Sequence, residues 1–354
     1  MRGTAMKLAL VLLLSAAPLF AQSETDLIRE GIALFDRGRI DESIAKYREV
    51  LAKNPSNVTA IHELAMAYTM KRDYPACRAL VEPALALPAG NLGAALYTDL
   101  GNCLDAAGEP QKAVDVYRKG LMIAPDDARL SFNLAITLAA QNKLDEARQL
   151  FEQDVAAQPE HASGHFSLAK VFEAQNFRVP ALLEYLRFLA IEPSGARAKF
   201  AAQRAVTLMS LGVEKKGRKQ INITIDSNSR KEEGDFGAME MMLGLLAASG
   251  GISAEKTSDP AGQLSGQVAS FIAMIAETPA NSRGQQYVWQ TVVPFFDTML
   301  ARELTTPFAY VAFSSLELPG AKKWMDANRA AVDRYDEWRS HSDRVQGIPM
   351  PPKP

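Results

Sequence analysis

Four histidines supply the side chain that most often carries acid–base or metal chemistry near neutral pH. His161 and His165 are four residues apart, a spacing that places both on one helix face and suits a metal ion. No third ligand is evident nearby. His62 and His341 have no serine or cysteine motif around them. We therefore predict no metal site and no catalytic histidine.

Carboxylates form a second candidate site, in a cluster of Glu232, Glu233 and Asp235 just before a predicted helix. Acidic side chains at a helix N-terminus are stabilised by the helix dipole, so this cluster favours a structural role. Phosphate-binding glycine motifs and a nucleophile elbow are both lacking. We predict no enzymatic activity and no cofactor. The alternative is an enzyme or small-ligand module in the C-terminal region, with a pocket lined by the cluster, Tyr287 and Trp289.

A repeat with a 34-residue step determines which elements position these side chains. Pro125, Pro159 and Pro193 are 34 residues apart, and residues 94–127, 128–161 and 162–195 align without gaps. Two weaker units precede them, at residues 24–57 and from residue 58 onward. Five units exceed the approximately three that a stack of repeats needs to bury its apolar faces.

Small residues recur at the eighth and twentieth positions of each unit. The eighth position holds Gly31, Ala65, Gly101, Ala135 and Ala169, and the twentieth holds Ser43, Cys77, Ala113, Ala147 and Ala181. This pattern resembles the tetratricopeptide repeat, in which small residues let two antiparallel helices touch closely. The resemblance implies an all-α solenoid of five helix pairs, and a helix at 196–211 is expected to cap it.

The resemblance also implies a binding surface, because family members usually bind ligands on the first helix of each pair. The corresponding residues are expected to contact a protein or peptide partner; they are Ile28, Ile32, Phe35, His62, Met66, Met70, Asn102, Arg129, Phe132, Asn133, Ile136, Phe166 and Lys170. Their apolar character suits an amphipathic helix or another apolar segment. The alternative is that the chain's own C-terminal region fills this groove.

Some family members bind a C-terminal carboxylate with paired asparagines and basic side chains. Asn102 and Asn133 match the asparagine positions, whereas Thr98, Ser163 and Ser167 stand where basic residues are needed. The resemblance therefore does not favour carboxylate binding.

Cys77 and Cys103 are the two cysteines of the chain. They fall on the second helix of repeat two and the first helix of repeat three, which the resemblance places side by side. Two interpretations stay open: a disulfide, which an oxidising compartment permits, or two small buried apolar residues. A bond requires a Cα separation below about 7 Å.

The N-terminus predicts export. Arg2 and Lys7 precede an apolar run at 8–20, and Ala21 leads into polar Gln22, the pattern of a cleaved signal peptide. The run is shorter than the roughly 20 residues that span a bilayer. We expect a periplasmic or secreted protein with no transmembrane span in the mature chain. The net charge is −2, whereas nucleic-acid-binding proteins usually carry an excess of basic residues, so we do not expect a nucleic-acid partner.

The region beyond the repeats resembles no family we recognise and is predicted to be mostly helical. Residues 220–226 alternate apolar and polar side chains, which predicts an extended segment, with 308–313 as a candidate partner strand. The expected domains are a signal peptide at 1–21, a repeat solenoid at 22–212, a mostly helical domain with at most a minor β element at 213–345, and a disordered tail at 346–354.

These observations favour an exported, non-enzymatic scaffold for protein–protein interaction. Stacked helix pairs present a long surface for other molecules and seldom perform chemistry themselves. A component of an envelope assembly is the suggested partner.

Overall fold

The structure, a computed structural model, describes residues 22–216, 220–223, 236–250, 259–279 and 282–341. The fold is predominantly α-helical, as predicted. Two compact units divide between Glu109 and Pro110. The expected signal peptide, acidic cluster and disordered tail lie outside the described residues, and the expected domain limits stay a prediction.

The first unit consists of five α-helices and one short 3₁₀ turn. They are α1 (Glu24–Asp36), α2 (Ile40–Lys53), α3 (Val58–Met70), α4 (Tyr74–Ala84), the 3₁₀ turn Gly90–Leu92 and α5 (Gly93–Ala106). Side-chain caps begin two first helices: Ser23 Oγ accepts from the backbone N–H of Asp26, and Asn57 Oδ1 accepts from that of Ala60. Helix α3 packs against both α1 and α5, so the first helices form one continuous surface.

A small residue at the eighth position allows the two helices of a pair to touch. A Cβ placed on Gly31 would lie 2.4 Å from Cε1 of Tyr47, which is fully buried. Ala65 and Ala135, at the same position in later pairs, are also fully buried. This confirms the packing that the repeat pattern implied.

The turn inside each pair has a left-handed residue at one fixed position. Its φ is 75° at Gly38, 61° at Arg72, 80° at Gly108, 59° at Asn142 and 63° at Asn176. Glycine and asparagine tolerate this conformation best. The backbone therefore repeats even in the second pair, where arginine replaces the usual residue.

The second unit begins with six α-helices of the repeat region. Its helices are α6 (Pro110–Ile123), α7 (Ala128–Ala140), α8 (Leu144–Ala157), α9 (Ala162–Ala174), α10 (Arg178–Ile191) and α11 (Ala196–Ser210). Helix α11 packs against α10 at the end of the series, so the predicted capping helix is confirmed.

Two paired strands and six further α-helices follow among the described residues. They are β1 (Val213–Lys216), β2 (Gln220–Ile223), α12 (Gly237–Gly250), α13 (Pro260–Ala276), α14 (Val293–Ala301), α15 (Thr305–Ala312), α16 (Ala321–Ala327) and α17 (Arg329–Ser340). A π-helical segment at Val288–Val292 leads into α14, and a 3₁₀ turn at Ser314–Leu316 follows α15. No described helix has the length and apolar character needed to cross a bilayer.

Two details of this region differ from the sequence-based expectations. The extended segment at 220–223 pairs antiparallel with Val213–Lys216, whereas 308–313, the expected partner, lies in and just after α15. Segments that are close together in the chain pair at low entropic cost, which favours Val213–Lys216 over 308–313 as the partner. The spacing of Trp324, Ala331, Tyr335 and Trp338 predicts a single helix, but the structure breaks it at Asn328 into α16 and α17.

Helix α10 is buried on every side, unlike an ordinary amphipathic helix. All residues from 179 to 190 are buried. Helices α9 and α11 pack against it, and so do α12, α15 and the π-helical segment. The C-terminal helices therefore cover the part of α10 that its solenoid neighbours leave uncovered.

Candidate partner-binding faces

In the first unit, α1 and α3 present apolar side chains to solvent. Ile32 is 36% exposed and Met70 is 62% exposed, while Ile28, Phe35 and Met66 are half-buried. We call this surface the first-helix face of the first unit. Its exposed isoleucine and methionine can contact a partner without disturbing the packing beneath them.

A histidine–aspartate pair interrupts this apolar surface. His62 Nδ1 lies 2.7 Å from Asp99 Oδ2, and the two side chains are 16% and 5% exposed. Burial raises the pKa of the neighbouring Glu63. Asn102 on α5 is half-buried, and Thr98 is turned back to the carbonyl of Ala94. The polar residues here are largely engaged within the first unit itself.

In the second unit, three phenylalanines occupy the fifth position of successive first helices. Phe132, Phe166 and Phe200 lie on α7, α9 and α11 and are each 34 residues apart. The ring centroids of Phe166 and Phe200 are 5.8 Å apart. Phe132 packs on Phe151 at 5.6 Å. We call this set the phenylalanine ladder.

Sequence reasoning missed Phe200, because it lies in the helix interpreted only as a cap. Phe200 is 42% exposed, which makes it the most accessible residue of the ladder. The 34-residue step from Phe166 was the signal that could have identified it. Ile136, on α7, is 39% exposed, and Asn133 beside it is half-buried.

Basic side chains flank the ladder. Lys170 Nζ lies 5.9 Å from the Phe166 ring centroid, and Arg197 Cζ lies 5.8 Å from it, both within cation–π range. Arg197 is held in place by Glu192 and by Ser163 Oγ, which accepts from Nη1 at 3.0 Å. Arg129 lies on the surface of α7 and is exposed.

His161 and His165 do not share a ligand. His161 Nδ1 lies 2.6 Å from Asp154 Oδ2, whereas His165 Nδ1 lies 2.6 Å from Glu184 Oε2. The other ring nitrogen of His165 is 2.9 Å from the carbonyl oxygen of Pro159. Across the described ranges, no group of three or more histidine, cysteine or acidic side chains is placed to hold a metal ion.

A buried polar network joins the last helix pair to the C-terminal helices. Glu184 on α10 is fully buried and accepts a hydrogen bond of 2.8 Å from Tyr287 Oη in addition to its contact with His165. Burial raises the pKa of Tyr287 well above its usual value, so this phenol stays a donor. Arg187 donates to Pro159 and Glu160 and lies 4.0 Å above the Phe295 ring.

Glu152, on α8, belongs to the same polar interior. Burial raises its pKa to about 7, and the nearby Glu184 adds to this effect, while Arg148 opposes it. Sequence reasoning did not identify this network. Charged residues inside the apolar sequence of α10 were the available signal.

Tyr287 and Trp289, the expected lining of a C-terminal pocket, are engaged in packing. Trp289 is 4% exposed and stacks on Phe236 with a centroid distance of 5.1 Å and an interplanar angle of 12°. The acidic cluster lies outside the described residues. Self-filling of the groove also lacks support among the described residues of the second unit, since Ile136 and Phe200 stay exposed there.

Comparison with known proteins supplies a family for the repeats. A family model described as "Tetratricopeptide repeat" matches residues 104–170, and one described as "TPR repeat" matches residues 31–71. No curated protein matches the chain.

Solved structures similar to this chain cover about half of it. The protein in a functional characterisation of Pseudomonas aeruginosa pilF is 19% identical with a TM-score of 0.47, over 52% of this chain and 82% of that one. A thermophilic TPR protein of Thermus thermophilus is 19% identical with a TM-score of 0.45, over 53% and 100%. PilW, a type IV pilus biogenesis factor, is 16% identical with a TM-score of 0.46, over 53% and 91%.

Proposed function

We propose, from the tetratricopeptide repeats that this chain contains, that it is a non-enzymatic scaffold holding a protein or peptide partner on its first-helix faces. One observation carries the proposal: three of the apolar side chains at the expected ligand positions are exposed to solvent. Ile32, Met70 and Ile136 are 36%, 62% and 39% exposed. Covering them with a partner removes apolar surface from water, at roughly 25 cal/mol per Å².

Exposure also decides which substitutions test the proposal. Phe132 and Phe166 are half-buried and pack on rings of their own unit, so replacing them would weaken folding as well as binding. Ile136 and Met70 are better choices, because each projects from a helix surface. Ile123, 63% exposed on α6, is a matched control, since it lies on a second helix.

The test is affinity capture with the tagged protein, followed by mass spectrometry of what is retained. We expect Met70→Asp and Ile136→Asp, singly and combined, to lose the partner that the parent protein enriches, and Ile123→Asp to retain it. Circular dichroism should show equal helicity for all variants. Equal capture by the double variant and the control would refute a first-helix-face interaction.

The proposal also includes export from the cytoplasm. The proposed partner is a component of an envelope assembly. Export is supported by the leader pattern at residues 1–21 and by the disulfide between Cys77 and Cys103, which suits an oxidising compartment. Cell fractionation of a C-terminally tagged chain should find the protein outside the cytoplasm and shortened at its N-terminus. Cytoplasmic, full-length protein would contradict export.

A further inference from the structure

We infer that the segment bound by the second unit is acidic as well as apolar, an inference that rests on the proposed function and specifies its partner. The observation behind it is the arrangement of charges around the phenylalanine ladder. A partner that contacts apolar surface alone makes no use of Lys170 and Arg197, the cations beside the Phe166 ring.

The charges occupy two positions beside the rings, although not on every helix. The second, fifth and ninth positions of a helix lie on one face, since they are three and four residues apart. These positions hold Arg129, Phe132 and Ile136 on α7; Ser163, Phe166 and Lys170 on α9; and Arg197, Phe200 and Arg204 on α11. Each ladder ring therefore has at least one cation from its own helix or the next one beside it.

The local charge is positive although the whole chain has a net charge of −2. Four cations flank the ladder, against the carboxylates of Glu173, Glu192 and Asp154, the last of which contacts His161 beside Phe132, and this leaves an excess of one positive charge. Arg204 and Tyr185 already bind Glu173, and Arg197 binds Glu192. Within the described ranges Arg129 and Lys170 make no ion pair, so they are available to an acidic partner.

A peptide suits this surface better than a single-stranded nucleic acid, although both can combine anionic and flat groups. Bases stack on open aromatic faces. The Phe166 ring, however, has cations over it and the rings of Phe188 and Phe200 at 5.0 and 5.8 Å, so no flat platform is open. Acidic side chains can reach the cations while apolar ones contact the ring edges.

The test uses three labelled synthetic peptides and fluorescence anisotropy on the full chain. One peptide alternates glutamate with leucine, the second replaces glutamate by lysine, and the third replaces leucine by serine. We expect the first to bind at least tenfold more tightly than either of the others and to weaken as salt rises. The double variant Arg129→Glu/Lys170→Glu should bind the glutamate–leucine peptide at least tenfold more weakly than the parent protein does. The control double variant Lys112→Glu/Lys119→Glu, on α6, should bind it as tightly as the parent.

Several results would overturn the inference. One is binding of the lysine–leucine peptide as tight as that of the glutamate–leucine peptide. Another is an equal loss of peptide affinity in the α6 control variant and in the Arg129/Lys170 variant. The third is an oligothymidylate that binds more tightly than the peptide and whose binding the Arg129/Lys170 variant abolishes. The proposed function would survive any of them if Met70→Asp still lost its captured partner. Conversely, loss of peptide binding in Phe200→Ala, with helicity retained, would support the ladder as the apolar part of the site.

Discussion

The disulfide between Cys77 and Cys103 joins α4 to α5 and closes the irregular connection between them. The two Cα atoms are 6.2 Å apart, inside the range that a disulfide can bridge. Thr69 Oγ1 lies 3.5 Å from each sulfur, and both cysteines are buried. We expect this bond to be a main source of stability for the end of the first unit, where the repeat spacing is interrupted.

Its magnitude follows from the length of the loop it closes. The cysteines are 26 residues apart, and the chain-entropy relation gives about 3.5 kcal/mol of stabilisation at 25 °C. This is a large share of the roughly 5–15 kcal/mol by which domains are stable. Reduction removes the cross-link and leaves the side chains in place, so it isolates this contribution.

The assay is urea unfolding followed by circular dichroism, with and without a phosphine reductant. The oxidised protein should be about 3.5 kcal/mol more stable than the reduced protein over the transition of the first unit. Amide hydrogen exchange should localise the difference to α4 and α5. The variant Cys77→Ala/Cys103→Ala should unfold like the reduced parent and should not respond to reductant.

Two results would refute the reasoning. One is a difference below about 1 kcal/mol between the oxidised and reduced proteins, which would mean that the loop is already restrained in the unfolded chain. The other is alkylation of both thiols in unreduced, denatured protein, which would show that the bond is absent.

Three further predictions concern the packing and the buried polar network. The pKa of Glu152 is raised to about 7 in the folded state, so the protein loses stability as the pH rises from about 4.5 to about 7. Glu152→Gln removes this loss and should be more stable than the parent by about 1 to 2 kcal/mol at pH 8. At pH 4 urea unfolding should find the two proteins equally stable. Gly31→Ala should cost about 1–3 kcal/mol and lower the Tm, since its Cβ meets the Tyr47 ring; an unchanged Tm would contradict this close contact. Tyr287→Phe removes a hydrogen bond to the buried Glu184 carboxylate and should cost about 1.5–3 kcal/mol, with faster exchange in α10; equal stability would mean that the bond contributes nothing.

Local sequence was sufficient for the repeat and for the elements it builds. Small residues at the eighth position predicted close helix pairs, and the buried contact between Gly31 and Tyr47 shows why they are needed. The capping helix expected at 196–211 is present as Ala196–Ser210. Pro294 predicts either a kink or the start of a new helix, and it lies in the first turn of α14, where proline is accommodated.

Contacts between residues far apart in the chain could not be predicted from such local patterns. The spacing of His161 and His165 placed them on one face, yet they turn to Asp154 and Glu184, on different helices. Tyr287 donates to Glu184 across 103 residues of chain, a contact that no local period encodes. The choice between a disulfide and two free cysteines likewise depended on a Cα distance.

The sequence by itself determined that residues 24–210 form stacked helix pairs and which side chains lie on the first helices, because the 34-residue period and the helical repeat are both local properties. Tertiary structure alone decided which of those side chains are free to bind. Phe132 and Phe166 are partly used in packing, while Ile136, Phe200 and Met70 stay exposed, since exposure depends on which neighbouring helices cover a face. It also decided the burial of α10, which α9 and α11 cover together with the C-terminal helices.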